Sequence, residues 1–69
     1  MDDKDIDIRF TYHPPKEGQA KKYEALRFQA LLFAYRINRD CPDSREKSLA
    51  ITNLEQAVMW ANAAIARSE

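Results

Sequence analysis

Very few side chains in this sequence could perform bond-making chemistry. His13 is the only histidine and Cys41 the only cysteine. His13 stands beside Pro14 and Pro15 with no acid placed to partner it, so a general-base role lacks its second half and an exposed arm residue is the simpler reading. One cysteine can close no internal disulfide and supplies too few ligands for structural zinc. There is no glycine-rich phosphate loop, no CxxC or HExxH pattern, and the carboxylates are scattered. The residue types point to no enzyme, cofactor or metal, and instead to non-covalent recognition.

The charges say which ligand chemistry is available. Eleven Lys and Arg balance eleven Asp and Glu to a formal net charge of zero, which argues against a packaging protein, a DNA-binding hairpin or a polybasic membrane binder. The distribution is uneven: residues 1–8 hold four acids and one base, residues 9–47 nine bases and five acids, residues 48–69 one base and two acids. Within the basic middle, Tyr12 precedes Lys22, Arg27 and Arg36, while Arg45 and Lys47 fall in the first turn of a second helix. An aromatic face, guanidinium groups and a helix N-terminus can together hold a stacked base and a phosphate. Each charge taken singly is more often a solvated surface group, and Trp60, Tyr23 and Tyr35 read as packing residues.

The elements that must position these groups are legible from punctuation and period. A chain of 69 residues that is 45% hydrophobic forms one small domain. Ile6, Ile8, Phe10 and Tyr12 alternate with polar residues, which predicts a short N-terminal extended arm over 1–15 ending in the stiff Pro14-Pro15 pair. From Lys16 or Gly18 to about Asp40 good helix formers dominate, with apolar positions at Tyr23, Leu26, Ala30, Phe33, Ala34 and Ile37. Pro42 disfavours helix at Cys41, and Asp43 with Glu46 three residues on reads as a capping box. A second helix is then expected from about Ser44 to Arg67, with Ile51, Leu54, Val58, Ala61 and Ile65 forming its seam. The fold class is therefore all-α: a hairpin of two long antiparallel helices over 16–69, carrying the oligomerisation and ligand-binding surfaces, behind the arm.

Each helix also bears a second apolar row, Phe28, Leu32 and Tyr35 on the first and Leu49, Met59 and Trp60 on the second. A hairpin covers one stripe per helix, and a domain below roughly 70–80 residues gains only about 3–5 kcal/mol from one core. Self-association is the expected remedy. No apolar run reaches the roughly 20 residues of a membrane span, and the acidic first ten residues are unlike a signal peptide, so a cytoplasmic protein is expected.

Two blocks carry a resemblance. Tyr12-His13-Pro14-Pro15, followed after a long helix by Cys41-Pro42-Asp43-Ser44-Arg45-Glu46-Lys47-Ser48-Leu49-Ala50 and by Val58-Met59-Trp60-Ala61-Asn62-Ala63-Ala64-Ile65-Ala66-Arg67, resembles the phage anti-CBASS cyclic-nucleotide sponge family over about residues 10–69. The helical hairpin of that family is shared with the phage sponges that sequester Thoeris signals. Thoeris-directed relatives carry an additional N-terminal β portion not found in these residues. The resemblance implies a phage homohexamer in the host cytoplasm that binds cyclic di- and trinucleotides such as cGAMP without degrading them, starving a host effector of its signal. It places a base against Tyr12 and a phosphate against Arg27, each offered twice across a subunit dyad, with His13, Pro14 and Lys22 nearby. A cyclic trinucleotide would suit a three-fold axis near Ser44, Arg45 and Lys47. The rival expectation is an interaction protein that blocks a host partner through its apolar faces and binds no nucleotide.

Overall fold

The computed structural model describes all 69 residues and is entirely helical: α1 spans Asp3–Phe10, α2 Gln19–Asp40 and α3 Arg45–Ser68. Helices α2 and α3 form the expected antiparallel hairpin, since the start of α2 bonds to the end of α3 (Gln19 to Ile65) and the end of α2 to the start of α3 (Asn38 to Lys47). The turn works as Pro42 requires. Cys41 is extended, with φ −106° and ψ 136°, the conformation left to a residue that precedes proline.

The N-terminal segment departs from expectation. Residues 3–10 are helical rather than extended, and extended backbone begins only at Thr11, with φ −108° and ψ 137°. A four-fold alternation was a weak warrant for a strand because this chain offers no second strand to bond it. Helical geometry satisfies the same backbone internally and suits the local charges. Asp2 caps it by accepting the Lys4 N–H at 3.2 Å, Asp3 and Asp5 occupy the first turn, and Arg9 lies in the last.

The second cap also shifts by one residue. Ser44, not Asp43, is the N-cap of α3; its hydroxyl accepts the Lys47 N–H at 3.1 Å and donates to the Pro42 carbonyl at 3.0 Å. With Ser44 at the cap the third helical residue is Lys47, so Asp43 and Glu46 do not make a capping box. Asp43 instead binds the Lys47 ammonium at 2.8 Å.

Gly18 opens α2. It adopts φ 83° and ψ −15°, and the Gln19 N–H donates to the Lys16 carbonyl at 3.1 Å, which makes Lys16–Gln19 a type II turn with glycine at its left-handed position. A Cβ at Gly18 would meet nothing within 4 Å, so the requirement is one of backbone conformation alone.

The seam forms, but it does not make a core. Tyr23, Ala30, Ala34, Ile37, Ile51, Leu54, Val58, Ala61 and Ile65 are half-buried, while Leu26 and Phe33 stay more open. No hydrophobic residue is fully buried. The molecule measures 45 × 30 × 13 Å, and the smallest dimension is about that of one helix with its side chains. Its accessible surface is 5917 Å², against roughly 4,450 Å² for a compact monomer of this mass. The radius of gyration of 15.3 Å exceeds the roughly 11 Å of a compact chain of this length. Trp60 (69% exposed), Tyr35, Phe28, Leu32, Leu49 and Met59 project from this single layer and leave about half or more of their surface open to solvent.

Candidate functional site

One groove gathers residues from all three segments of the chain. Thr11, Tyr12 and His13 come from the stretch after α1, Tyr23 and Arg27 from α2, and Asn62, Ala63, Ala66 and Arg67 from α3, around a volume of about 490 Å³. Tyr23 and Arg27 are four residues apart, as are Asn62 and Ala66 and, beside them, Ala63 and Arg67, so each pair shares a helix face. The lining contains two guanidinium groups, two phenols and an imidazole, and no carboxylate. Neither Arg27 nor Arg67 is in an ion pair, although four such pairs form elsewhere. An aromatic-walled groove with two uncompensated cations favours a planar, anionic ligand.

The loop that supplies Tyr12 is held in place. The His13 ring donates from Nε2 to the Ile8 carbonyl at 2.8 Å, which fixes the tautomer and ties the end of α1 to the loop. Tyr12 between them is open to solvent, with its ring free.

The α2 and α3 walls are pinned by Gln19, the one buried residue of the chain at 3% exposure. Its Oε1 accepts the Lys16 N–H at 2.9 Å, and its Nε2 donates to the Ile65 carbonyl at 3.2 Å and to Glu69 Oε1 at 3.4 Å. Ile65 lies in the last turn of α3, where helix carbonyls lack an internal partner. Lys16 donates to the Glu69 carbonyl and Lys22 pairs with the Glu69 carboxylate. The Lys22 hydrogen bond is the main reason that the Glu69 carboxyl titrates below its ordinary range, with the Gln19 bond and the nearby lysine charges adding to it.

The remaining candidates lie at the other end of the hairpin. Ser44 and Lys47 line a polar groove of about 510 Å³ with Asn38, Asp43, Ser48, Ile51 and Thr52. Arg45 is exposed and outside that lining. Lys47 is mostly shielded, its ammonium bonded to the Asn38 carbonyl at 2.9 Å as well as to Asp43. The Lys47 hydrogen bond, and then its charge, hold the Asp43 carboxyl below the usual carboxylate range.

Of the residues singled out from sequence, the groove brings together Tyr12, His13 and Arg27. Pro14 belongs to the same loop but not to the lining, Lys22 faces Glu69, and Ser44, Arg45 and Lys47 are at the opposite end. Sequence reasoning missed Tyr23, Asn62 and Arg67 as groove residues, and Gln19 as their support. No three His, Cys, Asp or Glu side chains converge as a metal site would need, and no helix is long and apolar enough to cross a membrane.

Fold and groove together define a helical-hairpin protein with an aromatic, cationic groove. The chain belongs to a known family of that kind: the family model for the Acb2/Tad1 hairpin domain matches residues 1–66. This is the anti-CBASS and anti-Thoeris sponge family of phage anti-defence proteins, known for binding cyclic nucleotides. No curated protein and no solved structure gives a significant match to the chain.

Two predictions test the pins. Gln19→Leu keeps the volume but leaves the Lys16 N–H and Ile65 carbonyl unpaired, costing about 1–3 kcal/mol; amide exchange should accelerate first over the last turn of α3. Asp43 carries a depressed pKa, so its contribution is fully present above the unfolded carboxylate range and is lost as pH falls through the folded value. Melting temperature should hold from pH 7 to about 5 and fall below that. In Asp43→Asn the acid-side fall should be shallower; an identical fall in both proteins would remove Asp43 from the account.

Proposed function

We propose that this protein sequesters cyclic di- and trinucleotide second messengers, cGAMP-like ligands among them, without cleaving them, and so keeps host CBASS effectors inactive. The observation that carries the reading is the groove of Tyr12, His13, Tyr23, Arg27, Asn62 and Arg67, aromatic and doubly cationic with no acid in its walls. A cyclic dinucleotide presents two bases and two phosphates in near two-fold symmetry. A groove of one chain, set against its copy across a dyad, offers each half the same stacking phenol and the same guanidinium.

Assembly is part of the proposal, with a homohexamer as the working unit in the host cytoplasm. The exposed rows Phe28, Leu32, Tyr35 and Leu49, Met59, Trp60 supply the apolar area that copies would bury, at about 1.5–3 kcal/mol for each large side chain before ordering costs. For cyclic trinucleotides the proposed site is the start of α3, at Ser44, Arg45 and Lys47, beside the free backbone N–H groups of that helix. There Lys47 would exchange Asp43 for a phosphate. Release without cleavage is supported by the groove's bonding: the His13 ring donates from Nε2 to the Ile8 carbonyl and is bonded to no side chain that it could activate as a nucleophile.

Titration calorimetry with cyclic GMP-AMP should show saturable binding, and the ligand should be recovered intact after denaturation. Tyr12→Ala and Arg27→Ala should each weaken uptake by roughly tenfold or more while leaving the oligomer mass unchanged, since each removes a contact worth about 1–3 kcal/mol. Absence of heat at micromolar concentrations would favour a protein that blocks a host partner through its apolar faces, and linear product would make it an enzyme. Trp60→Ala should instead lower the mass seen by light scattering and the melting temperature, for a loss of about 3–5 kcal/mol of packing.

A further inference from the structure

Asn62 lies on the α3 wall of the groove, and its side-chain Oδ1 is shielded from water yet has no hydrogen-bond partner. It is the one such side-chain atom in the chain. The Asn62 carboxamide takes part in no hydrogen bond as donor either, whereas Gln19, the other amide near this end of the hairpin, is bonded through both of its polar atoms. A shielded acceptor without a donor lowers stability, which is why such groups are few in folded proteins. Asn62 is also free to respond. No existing bond must break for its carboxamide to turn, and a half-turn exchanges the positions of its carbonyl and its amine.

The other groove residues fix what a ligand would bring to it. Arg27 and Arg67 are acceptor-free cations that take phosphate oxygens, and the phenol rings of Tyr12 and Tyr23 take the flat face of a base. None of those four side chains reads the edge of a base with a matched acceptor and donor, which a carboxamide does. We infer that Asn62 is the specificity-determining residue of the groove, its orphan acceptor reserved for an edge N–H of a base stacked on the tyrosines. This inference rests on the cyclic-nucleotide reading above.

The test compares the parent protein, Asn62→Ala and Tyr12→Ala by calorimetry and thermal melting, with cyclic di-GMP and with cyclic di-inosine monophosphate, which lacks the two exocyclic amino groups. Removing an unsatisfied acceptor should leave the ligand-free melting temperature of Asn62→Ala equal to or above that of the parent. The same substitution should weaken cyclic di-GMP binding roughly tenfold, the size of one lost hydrogen bond, and should shrink the gap in affinity between the two ligands. Retained affinity and an undiminished gap in Asn62→Ala, with Tyr12→Ala impaired, would overturn the assignment of Asn62 and leave the groove standing. A lower melting temperature together with weaker binding would overturn it too, by making Asn62 a structural residue. A parent protein that binds neither ligand would overturn both this inference and the reading beneath it.

Discussion

Everything about this molecule follows from its being one helix thick. Two helices side by side can shield only the stripe between them, and a seam built largely of alanine, isoleucine, leucine and valine leaves its best members half-buried. A domain ordinarily closes its core by stacking a second layer on the first. Here no second layer exists within the chain, and the large side chains Trp60, Tyr35, Met59 and Phe28 stand in water. The hydrophobic effect scales with area removed from water, so the driving force for completing the structure resides in faces that this chain cannot cover by itself.

A seam of that kind specifies contact better than it specifies register, because small apolar side chains slide past one another at little cost. Register comes from polar pins at the two ends. Gln19 bonds the last turn of α3, and Lys47 bonds the last turn of α2 while neutralising Asp43. Both pins use helix-terminal carbonyls that would otherwise lack partners, so each satisfies a local need and a tertiary one. The same pins align the recognition groove, since Tyr23 and Arg27 on α2 meet Asn62 and Arg67 on α3 only in this register.

The sequence makes the hairpin readable because its signals are local: the proline at the turn, the single glycine before α2, and apolar residues spaced by three and four. Tyr12, His13 and Arg27 were visible as candidates on the strength of residue type. The α1 helix was hidden because four alternating positions carry little weight against backbone that has no strand to pair with. The partners on α3 were harder to see, since Asn62 and Arg67 become neighbours of Tyr23 and Arg27 only through the mirror pairing of an antiparallel hairpin. That pairing was available in principle. Once Asn38 faces Lys47 across the turn, counting back along both helices brings Tyr23 opposite Asn62. What sequence could not supply was the state of a polar group, bonded for Gln19 and orphaned for Asn62, because that depends on distances of a few tenths of an ångström.

Charge placement explains how a chain of zero net charge can still attract an anion. Over distances beyond about 8–10 Å, where salt screens the field, the acids of α1 and the basic band offset each other and a long polyanion finds no continuous track to follow. Inside the groove the balance is different. Arg27 and Arg67 share a lining that holds no carboxylate, and neither is in an ion pair. A small planar anion suits that short-range field, because two guanidinium groups and two phenol rings share one lining. Duplex DNA approaching this chain would meet the acidic α1 residues Asp3, Asp5 and Asp7. A preference for a small anion over a long polyanion would therefore rest on the local spacing of these charges and not on their total.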